Sequence, residues 1–327
     1  MRTTSIRSVS PACVLVGLLW TGQCAGWYGA GHSLATRMAL EVLEGRVPEF
    51  LARGADLAAH CSQDPDVFKF QADSRVLYYT EYAEHYFDLE RFDANTALPA
   101  TRNDFTWWCV RHGMSASTVG TLPYAVTDWT YRLAVALAEH RRWPDDPAVQ
   151  AKALVYAGLL AHYAQDLCMP LHTTIHYDGR VQTGKSSPKT GIHAALDGLL
   201  EQTPGLGPVR IDPNEVAAFP DVLTAAYEQI KAGHGLVDRV YELEQELLGL
   251  TGPLEPSTDL AAFALERLQA TVLFTAGIYA TAWAKSLDVA IPEWHQRTQA
   301  HAVTASLGSR SGPGTSASVR TGPALHP

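Results

Sequence analysis

The sequence predicts an all-α protein that folds as one domain of many helices. Apolar residues recur at helical spacing in most of the longer segments, and alternating runs of β-branched residues, which would indicate strands, are few. No internal repeat or convincing linker divides the 327-residue chain. We therefore expect a single domain over residues 27–300.

The helical periodicity marks a series of segments along the chain. These are residues 33–43, 50–59, 122–140, 147–169, 190–201, 214–248 (two helices, broken near Gly233) and 259–287. The helix over residues 147–169 is the best supported, because a proline stands near its start and Pro170 follows its end. Loops are expected at residues 91–119, 177–189 and 204–213.

The first 26 residues have the pattern of a secretory signal peptide. Two arginines precede a short apolar run over residues 12–20, far below the ~20 residues of a membrane span. Small residues around Gly26 suit cleavage there, which would make Trp27 the mature N-terminus. A lipid anchor on Cys24 is the alternative. We favour a secreted or periplasmic protein with no integral membrane contact.

The mature chain is acidic. Without the leader's two arginines, 23 basic and 34 acidic residues leave a net charge of −11. Such a chain is not typical of proteins that bind nucleic acid through a basic patch, although bound metal ions would create a local positive field. The end of the chain, residues 301–327, is rich in Ser, Gly, Thr and Pro and is expected to be disordered.

Three cysteines remain after the leader, namely Cys61, Cys109 and Cys168. At most one internal disulfide can form among them, and Cys61 with Cys109 is one possible pair. Three inert thiols in the core are equally compatible with the sequence.

The segment from His162 to His172 carries the clearest chemical motif. His162 and Asp166 are four residues apart, so on a helix they share one face, and His172 follows just after a proline. His193 and Asp197 repeat the spacing of four. Imidazole and carboxylate groups in this arrangement suit a divalent metal such as zinc.

A single His-x-x-x-Asp pair usually lies on a surface or at a helix end. Here two pairs occur within a short stretch, on helices that are otherwise apolar. Their polar side chains would then point into a core or cleft, where an unpartnered group costs several kcal/mol. A metal site is the interpretation that removes this cost.

Further candidates lie upstream of these pairs. They are Trp27 and His32 near the predicted mature N-terminus, the acidic pair Asp64 and Asp66, and the segment from His85 to Asp88. A free α-amino group has a pKa of about 7.7–8.0, so a mature N-terminus can lose its proton and bind zinc.

In order along the chain, these motifs resemble those of the trinuclear zinc phosphoesterases. This family contains the single-strand-specific nucleases and the bacterial zinc-dependent phospholipases C. The resemblance extends from Trp27 to about Asp197. It implies an all-α phospholipase C/nuclease-type fold with three zinc ions at the base of a cleft.

The resemblance also implies which side chains bind each ion. The implied ligands are Asp66, His85, His162 and Asp166 for the first zinc, His172, His193 and Asp197 for the second, and Trp27, His32 and the bridging Asp166 for the third. The gap from Asp66 to His85 is longer than the family usually shows. Asp64 and Asp73 therefore remain alternatives to Asp66.

Four residues acquire substrate roles by the same resemblance. Asp66 would orient or deprotonate the attacking water, and Lys69 would stabilise charge on the phosphate. Tyr86 would stack a base and Asp88 would accept from the base edge. The alternative interpretations are that Lys69 is an ordinary solvated lysine, Tyr86 a core aromatic residue and Asp88 a polar residue at a helix end.

We therefore expect a secreted zinc-dependent phosphodiesterase that acts on nucleic acid or nucleotides, with a preference for single strands. The short spacing from Trp27 to His32, Asp197 in place of a glutamate, and the pair Tyr86 and Asp88 favour the nuclease branch. A phospholipase C acting on phospholipid is the alternative, and a non-catalytic zinc-binding exported protein is a second. The sequence indicates no protein partner.

Overall fold

The computed structural model describes residues 30–70, 75–92, 96–206, 209 and 211–295. All regular secondary structure in this part of the chain is helical, apart from one isolated bridge between Tyr177 and Gly179. The all-α prediction is therefore confirmed. The predicted leader, Trp27, Asp73 and the predicted C-terminal tail lie outside the described residues. Within those residues, no helix is both long and apolar enough to cross a membrane.

The α-helices are numbered in chain order. They are α1 (Ala30–Val42), α2 (Glu49–Arg53), α3 (Ala55–Cys61), α4 (Asp64–Lys69), α5 (Arg75–Tyr82), α6 (Arg102–Arg111), α7 (Ala116–Val119), α8 (Leu122–Arg142), α9 (Pro147–Asp166), α10 (Ile192–Asp197), α11 (Val222–His234), α12 (Val237–Glu242), α13 (Glu244–Gly249) and α14 (Asp259–Lys285). Short 3₁₀ helices occur at Ala83–His85, Leu89–Arg91, Pro170–Thr173, Gly198–Leu206 and Pro213–Glu215.

Helix α9 lies at the centre of the fold and packs against α1, α3, α8 and α14. Its sequence explains this position, because small and apolar residues cover nearly every side of its second half, and all residues from Ala157 to Asp166 are buried. Gly158 allows α3 to approach closely, since a Cβ atom there would lie 2.4 Å from the Ala58 carbonyl oxygen. The polar residues of α9 are thereby fixed inside the molecule.

The ends of α9 follow local signals. Asp146 caps its first turn by accepting a hydrogen bond from the backbone N–H of Ala148 at 2.9 Å, with Pro147 in the first helical position. The helix ends at Asp166, three residues earlier than the prediction. Pro170 is the reason, because it forces an extended backbone on Met169. Asp166 therefore stands on the last turn.

Several other segments differ from the predictions. The expected helix over residues 50–59 is two helices, α2 and α3, broken at Gly54. The expected loop over residues 91–119 contains α6 and α7. Residues 190–201 form only the short α10 followed by a 3₁₀ helix, and residues 214–248 hold three helices instead of two. The predicted helices over residues 122–140 and 259–287 and the loop over residues 177–189 are confirmed.

The missed helices have physical explanations. Thr101 caps α6 by accepting from the backbone N–H of Asp104 at 3.1 Å, a start signal that the sequence analysis passed over. Helix α5 buries none of its residues, so it lacks the core-facing apolar side by which a helix is recognised from its sequence.

The three cysteines are all buried and free. The possible disulfide between Cys61 and Cys109 is therefore wrong. Cys61 lies at the end of α3 beside Gly158 of α9, and Cys109 belongs to α6. They are core thiols, as the alternative interpretation held.

Candidate metal centre

A cavity of about 620 Å³ opens above the C-terminal end of α9. Its volume lies in the ordinary range for sites that bind small molecules, roughly 300–1,000 Å³. Histidine and aspartate side chains line its deepest part, which we call the floor. Aromatic side chains of α5 and its neighbours line one side, which we call the wall.

Three groups of side chains at the floor could each hold a metal ion, because their ligand atoms lie within 4.8 Å of one another. The groups are His32, His162 and Asp166; Asp66, His85 and His162; and His172, His193 and Asp197. The structure thus brings together every candidate ligand that it describes. Trp27 lies outside the described residues.

Asp166 is the centre of this arrangement. Its Oδ2 atom lies 3.1 Å from His85 Nδ1, 3.4 Å from His162 Nε2 and 3.6 Å from His172 Nδ1. Its Oδ1 atom lies 3.6 Å from His32 Nε2. Four imidazoles therefore surround one carboxylate, which is the geometry that a bridging ligand needs.

The distances fit metal coordination. Zinc bonds of about 2.0–2.1 Å in a tetrahedron place neighbouring ligand atoms roughly 3.3–3.4 Å apart. His162 Nε2 lies 3.4 Å from Asp166, and Asp197 lies 3.5 Å from His172 Nε2 and 3.2 Å from His193 Nε2. His172 Nε2 and Asp197 Oδ1 are also buried and make no hydrogen bond. A shared cation would satisfy both atoms.

The electrostatics of the floor keep most donors in the form that binds metal. Burial favours the neutral form of Asp166, but His172 and His162 outweigh it and hold the pKa of this carboxyl well below its usual range. Burial and the neighbouring His162 lower the pKa of His32 to about 3. Burial also lowers the pKa of His193. Asp166 is thus ionised and both imidazoles are neutral near pH 7.

His162 and His172 differ from these two imidazoles. Burial opposes the charged form of His162, but Asp166 and Asp66 outweigh burial and raise its pKa. His172 behaves in the same way. Burial opposes its charged form, but Asp166 and Asp197 raise its pKa to about 9. It therefore carries a proton near pH 7, and a metal ion bound there would displace that proton.

Backbone carbonyls fix the orientation of two imidazoles. His162 Nδ1 donates to the carbonyl of Ser62 at 2.9 Å, and His172 Nδ1 donates to the carbonyl of His85 at 2.5 Å. A carbonyl only accepts, so each Nδ1 must carry a proton. Both Nε2 atoms are thereby directed at the carboxylates of the floor.

A buried glutamine fixes the orientation of the His32 imidazole. Gln165 Oε1 lies 2.6 Å from His32 Nδ1, and Gln165 Nε2 donates to Thr36 Oγ1 at 2.9 Å. His32 Nε2 consequently faces Asp166. Partners of this kind orient metal-binding histidines in many proteins.

His85 has the opposite orientation, with Nδ1 facing Asp166. Its Nε2 atom lies 3.7 Å from Glu81 Oε1, and the same carboxylate accepts a hydrogen bond from the hydroxyl of Tyr163. A carboxylate beside Nε2 favours a proton on that atom and leaves Nδ1 available to the floor.

Lys69 reaches the floor from α4. Its Nζ atom lies 2.6 Å from Asp66 Oδ1, and its side chain is only 19% exposed. Burial opposes its charge, but Asp66 and Asp166 outweigh burial and raise the pKa of Lys69. It is thus a partly buried cation paired with Asp66 and not an ordinary solvated lysine. Asp64, on the same helix, belongs to none of the three groups, which favours Asp66 over Asp64 as the candidate ligand.

Tyr86 and Asp88 both line the cavity, whereas Phe87 between them is fully buried in the core. The Tyr86 hydroxyl donates to the backbone carbonyl of Ser117, which holds the ring in place. Burial raises the pKa of Asp88 to about 6, although Arg91, whose Nε atom lies 2.9 Å away, opposes this shift. Only Phe87 fits the core interpretation.

The rest of the wall and the partners of the histidines were not predicted from the sequence. Phe70, Tyr78, Tyr82 and Tyr177 also line the cavity. One signal was present, because tyrosines at positions 78, 82 and 86 keep a spacing of four. Gln165 and Glu81 carried no such signal.

The chain matches no protein-family model and no curated protein sequence. The resemblance to the zinc phosphoesterases therefore rests on sequence motifs alone. The physical argument for a metal site rests on the geometry of the floor.

Proposed function

We propose that this protein is a metal-dependent phosphodiester hydrolase, with zinc as the metal and three ions at the floor. The observation that carries the proposal is that two of the His/Asp groups share His162, while His172 of the third group lies 3.6 Å from Asp166, all beside the partly buried Lys69. Nitrogen and oxygen donors in such numbers suit zinc. The group of His172, His193 and Asp197 offers three protein ligands, and catalytic zinc typically keeps a fourth position open.

Bound zinc ions would lower the pKa of water and neutralise charge on a phosphodiester. The chain's own residues add position and charge. Lys69 is held as a cation at the floor, where it can contact a phosphate oxygen whose charge grows in the transition state.

Asp66 is better suited to orienting water than to removing its proton. Burial favours its neutral form, but His162 and Lys69 outweigh burial and hold its pKa well below the usual range. A carboxylate of low pKa is a weak base near pH 7, so its contribution is to accept a hydrogen bond and fix the direction of attack.

Nucleic acid is the substrate class that we infer first. Tyr86 and Asp88 both line the cavity. An aromatic face stacks any base, and a carboxylate accepts from base-edge donors. A single strand suits this site, because its bases are free to leave a stack.

Phospholipid is the second candidate, and one observation favours it. The outward side of α4 and α5 exposes apolar side chains that do not line the cavity, namely Val67, Phe68, Val76, Leu77 and Tyr79. Exposed apolar patches beside a cleft commonly mark a protein or membrane contact. A phospholipase C would use such a surface at a lipid interface.

The test compares three substrates on one zinc-loaded preparation: bis-p-nitrophenyl phosphate, single-stranded DNA and phosphatidylcholine vesicles. We expect hydrolysis of the first two and a metal content of about three ions per chain by elemental analysis. Asp66→Asn should lose at least ~10²-fold in turnover. The matched control Asp64→Asn, on the same helix, should retain it. No hydrolysis of any phosphodiester by the zinc-loaded chain would refute the proposal, and hydrolysis of phosphatidylcholine alone would select the lipid candidate.

A further inference from the structure

Three tyrosines form a continuous aromatic row along the wall. Tyr78 and Tyr82 are one turn apart on α5, and Tyr86 follows four residues later, after the 3₁₀ helix. The ring centroids of Tyr78 and Tyr82 lie 5.3 Å apart in a stacked pair, and those of Tyr82 and Tyr86 lie 5.8 Å apart, edge to face. The row lines the cavity and begins at Tyr86, next to the floor residue His85.

The requirements of the core do not explain this row. Tyr78 is 37% exposed and Tyr82 is 42% exposed, and α5 as a whole buries no residue. The helix packs mainly against α4 and Ala83–His85. Aromatic side chains that stay in solvent while they line a cavity are placed to contact a ligand.

The chemistry of the wall favours flat rings over acyl chains. Five aromatic side chains line the cavity, namely Phe70, Tyr78, Tyr82, Tyr86 and Tyr177, whereas the one aliphatic side chain is Leu171. Basic groups accompany the rings, with Lys69 at the floor and Arg91 at the side. Rings accompanied by basic groups match a polymer of bases and phosphates.

We propose that Tyr78 and Tyr82 extend the cavity into a track that stacks the bases flanking the reacting phosphate of a single-stranded nucleic acid. Tyr86 forms the inner end of this track. The inference rests on the proposed function and adds to it. A single base site at Tyr86 would give a dinucleotide and a longer strand the same kcat/KM. The track should instead favour longer strands.

The experiment measures kcat/KM for oligothymidylates of two and eight nucleotides on the zinc-loaded protein. Wild type should prefer the octamer. Tyr78→Ala with Tyr82→Ala should reduce the ratio of octamer to dimer by roughly 10- to 100-fold, the effect of losing stacked bases. Tyr78→Phe with Tyr82→Phe keeps both rings and should keep the ratio.

The matched control is Tyr79→Ala, on the same helix. Tyr79 is 64% exposed and does not line the cavity, although its ring meets that of Tyr78 edge to face, with the centroids 5.4 Å apart. Its removal keeps both rings of the track and should leave the ratio unchanged. Thermal melting followed by circular dichroism checks folding. A ratio that survives the double alanine variant, or that falls equally in Tyr79→Ala, overturns the track.

A binding measurement separates failure of the track from failure of the proposed function. Fluorescence anisotropy of a phosphorothioate octathymidylate needs no turnover. If the zinc-loaded protein hydrolyses nothing but loses oligonucleotide binding in the double alanine variant, the track stands and the hydrolase proposal fails. If the chain hydrolyses bis-p-nitrophenyl phosphate but does not bind the oligonucleotide, the track is wrong. Loss of binding to phosphatidylcholine vesicles alone would assign the tyrosines to lipid.

Discussion

The floor and the wall of the cavity differ in how firmly their side chains are held. Asp166 is 2% exposed, and the Nδ1 atoms of His162 and His172 each form a hydrogen bond with a backbone carbonyl. The wall instead presents tyrosines from α5, a helix that buries none of its residues. On the proposed function, the contrast would place chemistry in the region whose side chains are fixed and recognition in the region whose side chains stay exposed.

The energetics support this division. Burying several imidazoles and carboxylates together is unfavourable unless each group has a partner, so the floor needs its hydrogen bonds and a cation. The wall has no such requirement. Changes at the floor should therefore reduce metal binding and turnover on every substrate, whereas changes at the wall should alter only the choice of substrate.

The largest effect is expected from Asp166→Asn. This residue contacts four imidazoles, so its loss should reduce metal content by about two ions and turnover by at least ~10³-fold. Asp197→Asn, which affects one group, is the comparison and should remove about one ion. Elemental analysis and turnover are the measurements. Full metal retention in Asp166→Asn would contradict its bridging position.

The next effect concerns the mature N-terminus. A single glycine added before Trp27 would convert its amine to an amide nitrogen, which does not bind zinc without losing its proton. We expect about one fewer ion and a loss of at least ~10²-fold in turnover, relative to a chain that starts at Trp27. Equal zinc content and equal turnover would mean that His32 and Asp166 hold their ion without the terminus.

A smaller effect is expected from the partner of His32. Gln165→Ala leaves His32 Nδ1 without its partner, so metal affinity should fall roughly 10- to 100-fold. Thr36→Val should have a weaker effect of the same kind. Gln63→Ala is the matched control, because Gln63 donates to Ser33 Oγ at 2.9 Å and, among the described residues, no side-chain hydrogen bond joins it to a candidate ligand. Zinc titration by calorimetry measures all three, and an unchanged affinity in Gln165→Ala would show that the glutamine only fills space.

The smallest effect is expected at Asp88. Because burial raises the pKa of Asp88 to about 6, its carboxylate gains a proton as the pH falls from 7 to 5. A protonated group is a poorer acceptor for base edges, so KM for a nucleotide substrate should rise by up to about tenfold over this range. Asp88→Asn cannot titrate and should flatten the profile. A profile that Asp88→Asn leaves unchanged would place Asp88 outside the binding site.

The sequence predicted the floor better than the wall for a physical reason. His162 and Asp166 share a helix face whatever surrounds them, and the apolar sequence of α9 required that face to be buried. Helix α5 buries none of its residues, so the regular spacing of its tyrosines gave no indication of the surface that they line. Gln165 was hidden because a glutamine beside an aspartate has no local signature until His32 and Thr36 are brought to it.

By itself, the sequence determined the all-α class, the long helices α8, α9 and α14, and the identity of the candidate ligands. These properties depend on periodicity and on spacing within one helix, both of which are local. Only the tertiary structure decided that Asp66, His85 and His162 meet, that Lys69 is partly buried beside them, and that Cys61 and Cys109 stay apart. Such contacts join residues up to about a hundred positions apart in the chain, and only the packing of α4 and of the 3₁₀ helix Ala83–His85 against α9 brings them together.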